Sequence, residues 1–270
     1  MRRVHRARSR SPVVEKSMTH ITPAHVLDRR VNIALIGCGG NGSQMLTGLA
    51  RLNHALTALG HPGLHVTAFD GDTVSEANIG RQMFSPADVG QYKSAVLVHR
   101  LNAFFGLDWH ARPKHAGADE LVHVGPGIAI VCVDSAASRA KLAKTLKSTA
   151  TYVMDLGNRA SDGQVIFGSS RSAQCEGSAS LRWPYDVLPE LIDTTVPEDD
   201  APSCGLAEAL ERQELFINQA IVTPALGILW EFFRHGRLSW CGAFVNLKTG
   251  HVRPLPVDNL PGHAEATNAA

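Results

Sequence analysis

A run of glycines set between an apolar stretch and a helix-length segment constrains this chain more than any other feature. Val31 to Ile36 is a short, mostly aliphatic run, Gly37-Cys38-Gly39-Gly40-Asn41-Gly42 follows it, and Ser43 to Leu59 carries helical periodicity. A strand that turns tightly into a helix gives a G-x-G-x-x-G pattern physical content. Missing side chains let the backbone approach a phosphate, and the helix N-terminus supplies N–H donors and positive dipole. The glycines alone leave NAD, FAD, ATP and an empty tight turn all open.

The same texture continues downstream. Leu64 to Phe69, Leu107 to Ala111 (an edge strand), Gly127 to Val133, Thr151 to Met154 and Gln164 to Gly168 read as strands, while Asp88 to Phe105 and Ala136 to Lys147 read as helices. That alternation predicts an α/β chain with a mostly parallel sheet and flanking helices. Residues 170 to 205, rich in Ser, Pro and acids, read as a long surface loop crossing over the sheet. Leu206 to Phe233 reads as an apolar helix interrupted at Pro224. Trp240 to Leu247, the turn Lys248-Thr249-Gly250 and His251 to Val257 predict a C-terminal antiparallel hairpin. The expected division is a basic, disordered tail over residues 1–19, one domain over 20–257 and a disordered tail over 258–270. Arg2, Arg3, Arg6, Arg8 and Arg10 read as a solvated tail in preference to a nucleic-acid arm, and Met18 is a candidate start.

Composition narrows the setting. Twenty-six basic residues against 25 acidic ones give a net charge of +1, so the chain has no global field to draw in nucleic acid or membrane. No apolar run is long enough to span a bilayer, and the first residues lack the core of a secretory signal. Five scattered cysteines form neither a disulfide framework nor paired zinc motifs, which points to a reducing, cytoplasmic location without zinc.

Beyond the glycine turn, three further motifs follow in order. The first is Asp70-Gly-Asp72-Thr-Val-Ser-Glu-Ala-Asn78-Ile-Gly-Arg81-Gln82. The second is Gly90-Gln91-Tyr92-Lys93, and the third is the apolar run Val131-Cys132-Val133-Asp134, with Arg139 after it. Together they resemble the ThiF/MoeB/HesA superfamily of ubiquitin-activating-type adenylating enzymes, and within it the ThiF-like proteins of PRTRC plasmid cassettes. The resemblance is strong from Val31 to Asp155 and looser from Cys204 to Val257.

That resemblance implies a Rossmann-like fold, a homodimer and ATP with Mg²⁺ as cofactors. It also implies adenylation of a partner's C-terminal carboxylate, the partner being a small ubiquitin-like protein ending in Gly, with optional onward transfer to a thiol. Gly37, Gly39, Gly40, Asn41, Gly42, Asp70, Asp72, Asn78, Arg81, Gln82, Lys93 and Asp134 would form the nucleotide site. Asp70 would hold the ribose, Asn78, Arg81 and Lys93 would contact the phosphates or ribose, and Asp134 would hold Mg²⁺. Arg81, Lys93 and Asp134 would be catalytic. Cys204, at the start of the long helix, is the candidate thiol, with Cys175 as alternative; Glu198, Asp199 and Asp200 upstream oppose a thiolate there. Ser135 stands where Asn commonly follows the metal-binding Asp. The family's N-terminal arginine, which reaches a neighbouring subunit's site, is not recognisable, although Arg29 and Arg30 lie close to its place.

Each of these residues also has an ordinary role open to it. Asp70 suits a turn, Arg81 and Lys93 suit a solvated surface, and Asp134 suits the cap of the following helix. Phe216, Ile217, Ile221, Leu226, Leu229, Trp230 and Phe233 suit either a core or a homodimer face. A nicotinamide-dependent oxidoreductase would share the glycine turn and Asp70 but leave Arg81, Lys93 and Asp134 unexplained. A non-catalytic nucleotide-binding scaffold is the third class.

Overall fold

The computed structural model describes residues 19–170, 178–195 and 206–257. The first half runs β1 (His20–Ile21), α1 (Ala24–Leu27), β2 (Val31–Ile36), α2 (Gly40–Ala58), β3 (Leu64–Phe69), α3 (Lys93–Phe105), β4 (His110–Arg112), α4 (Ala118–Val124) and β5 (Ile128–Val131). The second half runs α5 (Ala136–Thr149), β6 (Tyr152–Asn158), β7 (Asp162–Ser169), α6 (Pro184–Val187), α7 (Leu206–Arg212), α8 (Ile217–Arg234), β8 (Arg237–Leu238), β9 (Trp240–Asn246) and β10 (His251–Pro256).

Eight strands form one sheet in the order β10-β9-β7-β6-β5-β2-β3-β4, and β1 pairs separately with β8. The pairs β6-β5, β5-β2, β2-β3 and β3-β4 are parallel, while β6-β7, β7-β9 and β9-β10 are antiparallel. All four residues of β5 and all but Asn32 of β2 are buried, as expected of central strands covered on both faces. The pleat divides their side chains. Ile33, Leu35, Ile128 and Ile130 enter one apolar layer with Met45, Leu49, Leu97, Ile221 and Ile228, whereas Ala34, Ile36, Ala129 and Val131 enter a second with Leu121, Leu142, Leu146 and Trp183.

Several expectations need correction. The helix expected from Asp88 begins only at Lys93. Gly90 takes a left-handed φ of +85°, which ends the short 3₁₀ turn Pro86–Asp88, and Tyr92 precedes the new helix in an extended conformation. The apolar segment after residue 206 breaks at 213–216, whereas Pro224 lies inside α8. Proline removes one helical N–H, and the buried face of Ile217, Ile221, Ala225, Ile228 and Leu229 holds the helix together across it. Ile217, Ile221, Leu229 and Phe233 are therefore core residues, while Phe216 is exposed. The expected surface loop contains α6 and the 3₁₀ turn Pro189–Ile192, and it buries Leu181, Trp183 and Tyr185 against the sheet. The short β1–β8 pair and α4 carried too little periodicity to be anticipated.

Candidate nucleotide site

The strand order reverses at β2. The chain passes from β2 to β3 and β4 on one side, then crosses back to β5 on the other, which opens a crevice at the carboxyl ends of β2 and β5. Gly37 follows β2, Asp70 follows β3, Asp134 stands three residues beyond β5, and Asn158 ends β6. The fold thus gathers the sequence motifs at one edge of the sheet.

The glycines do different things. Gly37 has φ +92°, and a Cβ there would meet the carbonyl oxygen of Cys132 at 2.8 Å. A Cβ on Gly42 would collide with the carbonyl of Gly37, and one on Gly40 would lie 2.6 Å from the Asn218 carboxamide. Gly39 alone of the four faces open space, with nothing within 4 Å of the missing Cβ. Gly37, Gly40 and Gly42 let the turn fold, and Gly39 leaves room beside the first turn of α2 for a ligand.

Asp70 is buried, and its two oxygens accept backbone N–H groups from Cys38 at 2.6 Å and Asp72 at 2.8 Å. Burial raises its pKa, while those two N–H bonds and nearby Lys93 favour the carboxylate. It clamps the glycine turn to the Asp70–Asp72 turn with one lone pair per oxygen, leaving the other for a sugar hydroxyl. Lys93, buried at the start of α3, reaches Asp72 with its ammonium at 3.1 Å. The Asn78 side-chain oxygen accepts the Ser75 N–H at 3.0 Å, closing its own turn, and the Gln82 side-chain oxygen is buried without a partner among the described residues.

Arg81 is a half-buried charge with little compensation. One guanidinium nitrogen donates to Gln213 Oε1 at 2.7 Å, Nε is buried without a partner, and no acidic side chain pairs with it among the described residues. Burial lowers its pKa. A partly desolvated cation connected to a glycine turn through Gln213 and Asn218 is what an anionic ligand would stabilise. The backbone of this segment is fixed to α2, since the Met83 N–H donates to Ser43 Oγ at 3.3 Å.

Asn41 does not face open space. Its side chain is buried and bonded to Asn158 at 2.9 Å and Asn218 at 2.9 Å. Asn158, Gln213 and Asn218 went unrecognised in the sequence. A polar residue on the buried face of an apolar helix was the available signal for Asn218, and Gln213 offered none.

Asp134 is exposed, and no hydrogen bond or ion pair engages its carboxylate among the described residues. Ser135 caps α5 instead, accepting the Ser138 N–H at 3.0 Å, so the capping role open to Asp134 is taken by its neighbour. Behind it, Arg139 donates to the Asp134 carbonyl at 3.1 Å and pairs with Asp155 at 3.3 Å, and Tyr185 donates to the same Asp155 oxygen at 2.9 Å. Burial pushes Asp155 above the usual carboxylate range, opposed by Arg139 and Tyr185. A lone free carboxylate at the crevice suits Mg²⁺, which is commonly held by one or two carboxylates together with substrate phosphates. No three His, Cys, Asp or Glu side chains cluster as a metal site among the described residues.

Cys38, Cys132 and Cys241 are buried, and burial pushes all three thiols up, Cys241 to about 12. None is a good nucleophile. Cys204 and Cys175 lie outside the described residues. No helix among the described residues is long and apolar enough to cross a membrane.

Residues 27–252 match the ThiF family. No curated protein matches the chain. Solved structures with the same fold include PaaA, with a TM-score of 0.59 at 14% identity over 84% of this chain and 64% of PaaA. E. coli MccB, crystallised with MccA, gives a TM-score of 0.56 at 14% identity over 84% of this chain and 63% of MccB. The chain thus spans a little under two thirds of the length of these proteins.

Proposed function

The chain belongs to the ThiF family, and from that premise we propose that it activates a partner's carboxylate by ATP-dependent adenylation. The observation that carries this reading is the half-buried Arg81, which has no acidic partner among the described residues and is linked through Gln213 and Asn218 to a glycine turn that keeps open space at Gly39.

In the proposed reaction a carboxylate oxygen of the partner attacks the α-phosphorus of ATP. The new O–P bond forms as the bond from that phosphorus to the bridging oxygen breaks, and pyrophosphate leaves with the electron pair. A C-terminal carboxyl of pKa near ~3.5 is already ionised at neutral pH, so no general base is required. Positioning and charge compensation therefore dominate the work of the site. Arg81 and Lys93 offset the charge developing on the phosphates, and the free lone pairs of Asp70 accept the ribose hydroxyls. Asp134 would hold Mg²⁺, which, when bound, withdraws negative charge from the phosphate oxygens.

The partner in this reading is a small ubiquitin-like protein ending in Gly, as the likeness to PRTRC-cassette proteins implies, and the chain works as a cytoplasmic homodimer. One matched structure holds MccB together with MccA, and a second molecule presented to this fold is the arrangement proposed. Any onward transfer to Cys204 would follow adenylation.

Calorimetric titration with ATP·Mg²⁺ and, separately, with NAD⁺ tests the reading. It expects saturable ATP binding and none of NAD⁺. Binding of NAD⁺ without ATP would move the chain to the oxidoreductase class.

A further inference from the structure

We propose that Gln213 and Asn218 are positioning residues that aim Arg81 at the nucleotide phosphates through a chain of side-chain amides anchored in the glycine turn. This inference rests on the nucleotide reading above and assigns two residues that none of the sequence motifs contain.

The chain is continuous. Arg81 donates to Gln213 Oε1 at 2.7 Å, and Gln213 Nε2 donates to Asn218 Oδ1 at 3.3 Å. Asn218 Nδ2 donates to Asn41 Oδ1 at 2.9 Å and to Asn158 Oδ1 at 3.2 Å. Asn41 Nδ2 also donates to Asn158 Oδ1, at 2.9 Å, and Asn158 Nδ2 ends the run on the Arg159 carbonyl at 3.0 Å.

Its direction is fixed from one end. Arginine only donates, so the Gln213 oxygen must face Arg81, which turns the Gln213 nitrogen to the Asn218 oxygen and the Asn218 nitrogen to two acceptors. Reversing any one amide would set donor against donor or acceptor against acceptor. Asn41 and Asn218 are buried at 7% and 3% exposure, so a mismatch would not be relieved by water. Gly40 belongs to the same device: its missing Cβ makes room for the Asn218 carboxamide, which would otherwise be 2.6 Å away. A side chain at position 40 would therefore press on the amide chain.

The choice of an amide at 213 has a chemical reason. A carboxylate there would hold Arg81 equally well but neutralise it and compete with phosphate. A neutral amide fixes the direction of the guanidinium and leaves its charge for a ligand. Gln213 sits in the short break between α7 and α8, and Asn218 lies one residue into α8.

The test compares ATP and adenosine affinity by calorimetry in wild type, Gln213→Glu, Arg81→Ala and the double variant, with thermal melting as a control for folding. Gln213→Glu should lower ATP affinity by about tenfold or more, on the scale of a hydrogen bond to a charged group, and leave adenosine affinity unchanged. In the Arg81→Ala background it should have no further effect, because a positioning residue acts only through the group it positions. Asn218→Asp, which turns an acceptor toward Asn41 and Asn158, should give the same selective loss. Equal losses for ATP and adenosine, additive losses in the double variant, or wild-type ATP affinity in Gln213→Glu would each overturn the inference while leaving ATP binding by the wild type intact. Absence of ATP binding in the wild type would instead overturn the nucleotide reading and this inference with it.

Discussion

Arg139→Met should be among the most damaging substitutions outside the nucleotide contacts, and the structure gives its size. Asp155 has no exposure, and the Arg139 side chain is 7% exposed. One Asp155 oxygen already has no partner among the described residues, and the other relies on Arg139 and Tyr185. Removing the guanidinium strands a buried carboxylate, a change that typically costs about 3–5 kcal/mol. In a chain of this size that is a fall in Tm of about 6–20 °C. The pH dependence has a defined sign. Burial holds the folded pKa of Asp155 above its ordinary value, and losing Arg139 raises it further. A raised folded pKa means stability that is present below the unfolded pKa and lost as pH rises through the folded one, so the deficit should be largest at neutral pH and shrink on acidification. Adding Asp155→Asn, which removes the charge and keeps an acceptor for Tyr185, should recover most of the loss. Urea denaturation followed by circular dichroism at pH 5 and pH 7 measures wild type and both variants. A deficit below ~1 kcal/mol for Arg139→Met, or a double variant no more stable than the single one, would refute the reasoning.

Two further outcomes follow from particular contacts. Gly42→Ala should melt well below wild type because its Cβ meets the Gly37 carbonyl, whereas Gly39→Ala, which enters open space, should melt like wild type and lose ATP affinity; equal ATP affinity in Gly39→Ala would remove the ligand from that space. His20 is buried, with its ring nitrogens on the Ala179 carbonyl and the Tyr152 hydroxyl, and burial lowers its pKa. A depressed folded pKa makes stability present above about pH 6.5 and lost as pH falls through the folded value; denaturation midpoints should therefore drop on acidification in wild type and do so less steeply in His20→Gln.

Much of the central sheet was legible because its strands are continuous apolar runs closed by glycine or aspartate. Val31–Ile36 and Leu64–Phe69 fall where the sequence places them. The motif residues were legible because backbone chemistry demands them: Gly37 for its positive φ, and Asp70 to accept two N–H groups from neighbouring turns. What stayed hidden depends on contacts between distant segments. Nothing local marks Gln213 as a partner of Arg81, 132 residues away, or Tyr185 as a partner of Asp155. Periodicity also failed where tertiary packing overrode a local signal, as at Pro224, which the buried face of α8 carries through without a break.

The site as a whole divides its labour. Gly37, Gly42 and Asp70 shape the turn, Gly39 leaves space, and Arg81 brings a charge that no acidic side chain among the described residues neutralises. Arg139 and Asp155 fix the backbone at Asp134, while the carboxylate of Asp134 remains free. In the proposed reading that arrangement receives an anion and its counter-cation at the ends of β2 and β5.

ATP–pyrophosphate exchange tests the adenylation claim most directly, because it reports reversible bond formation at the α-phosphorus. With a small partner protein ending in Gly present, the wild-type chain is predicted to exchange radiolabelled pyrophosphate into ATP, and Arg81→Ala and Asp134→Ala are each predicted to abolish it while melting like wild type. Undiminished exchange in both variants would contradict the assigned site.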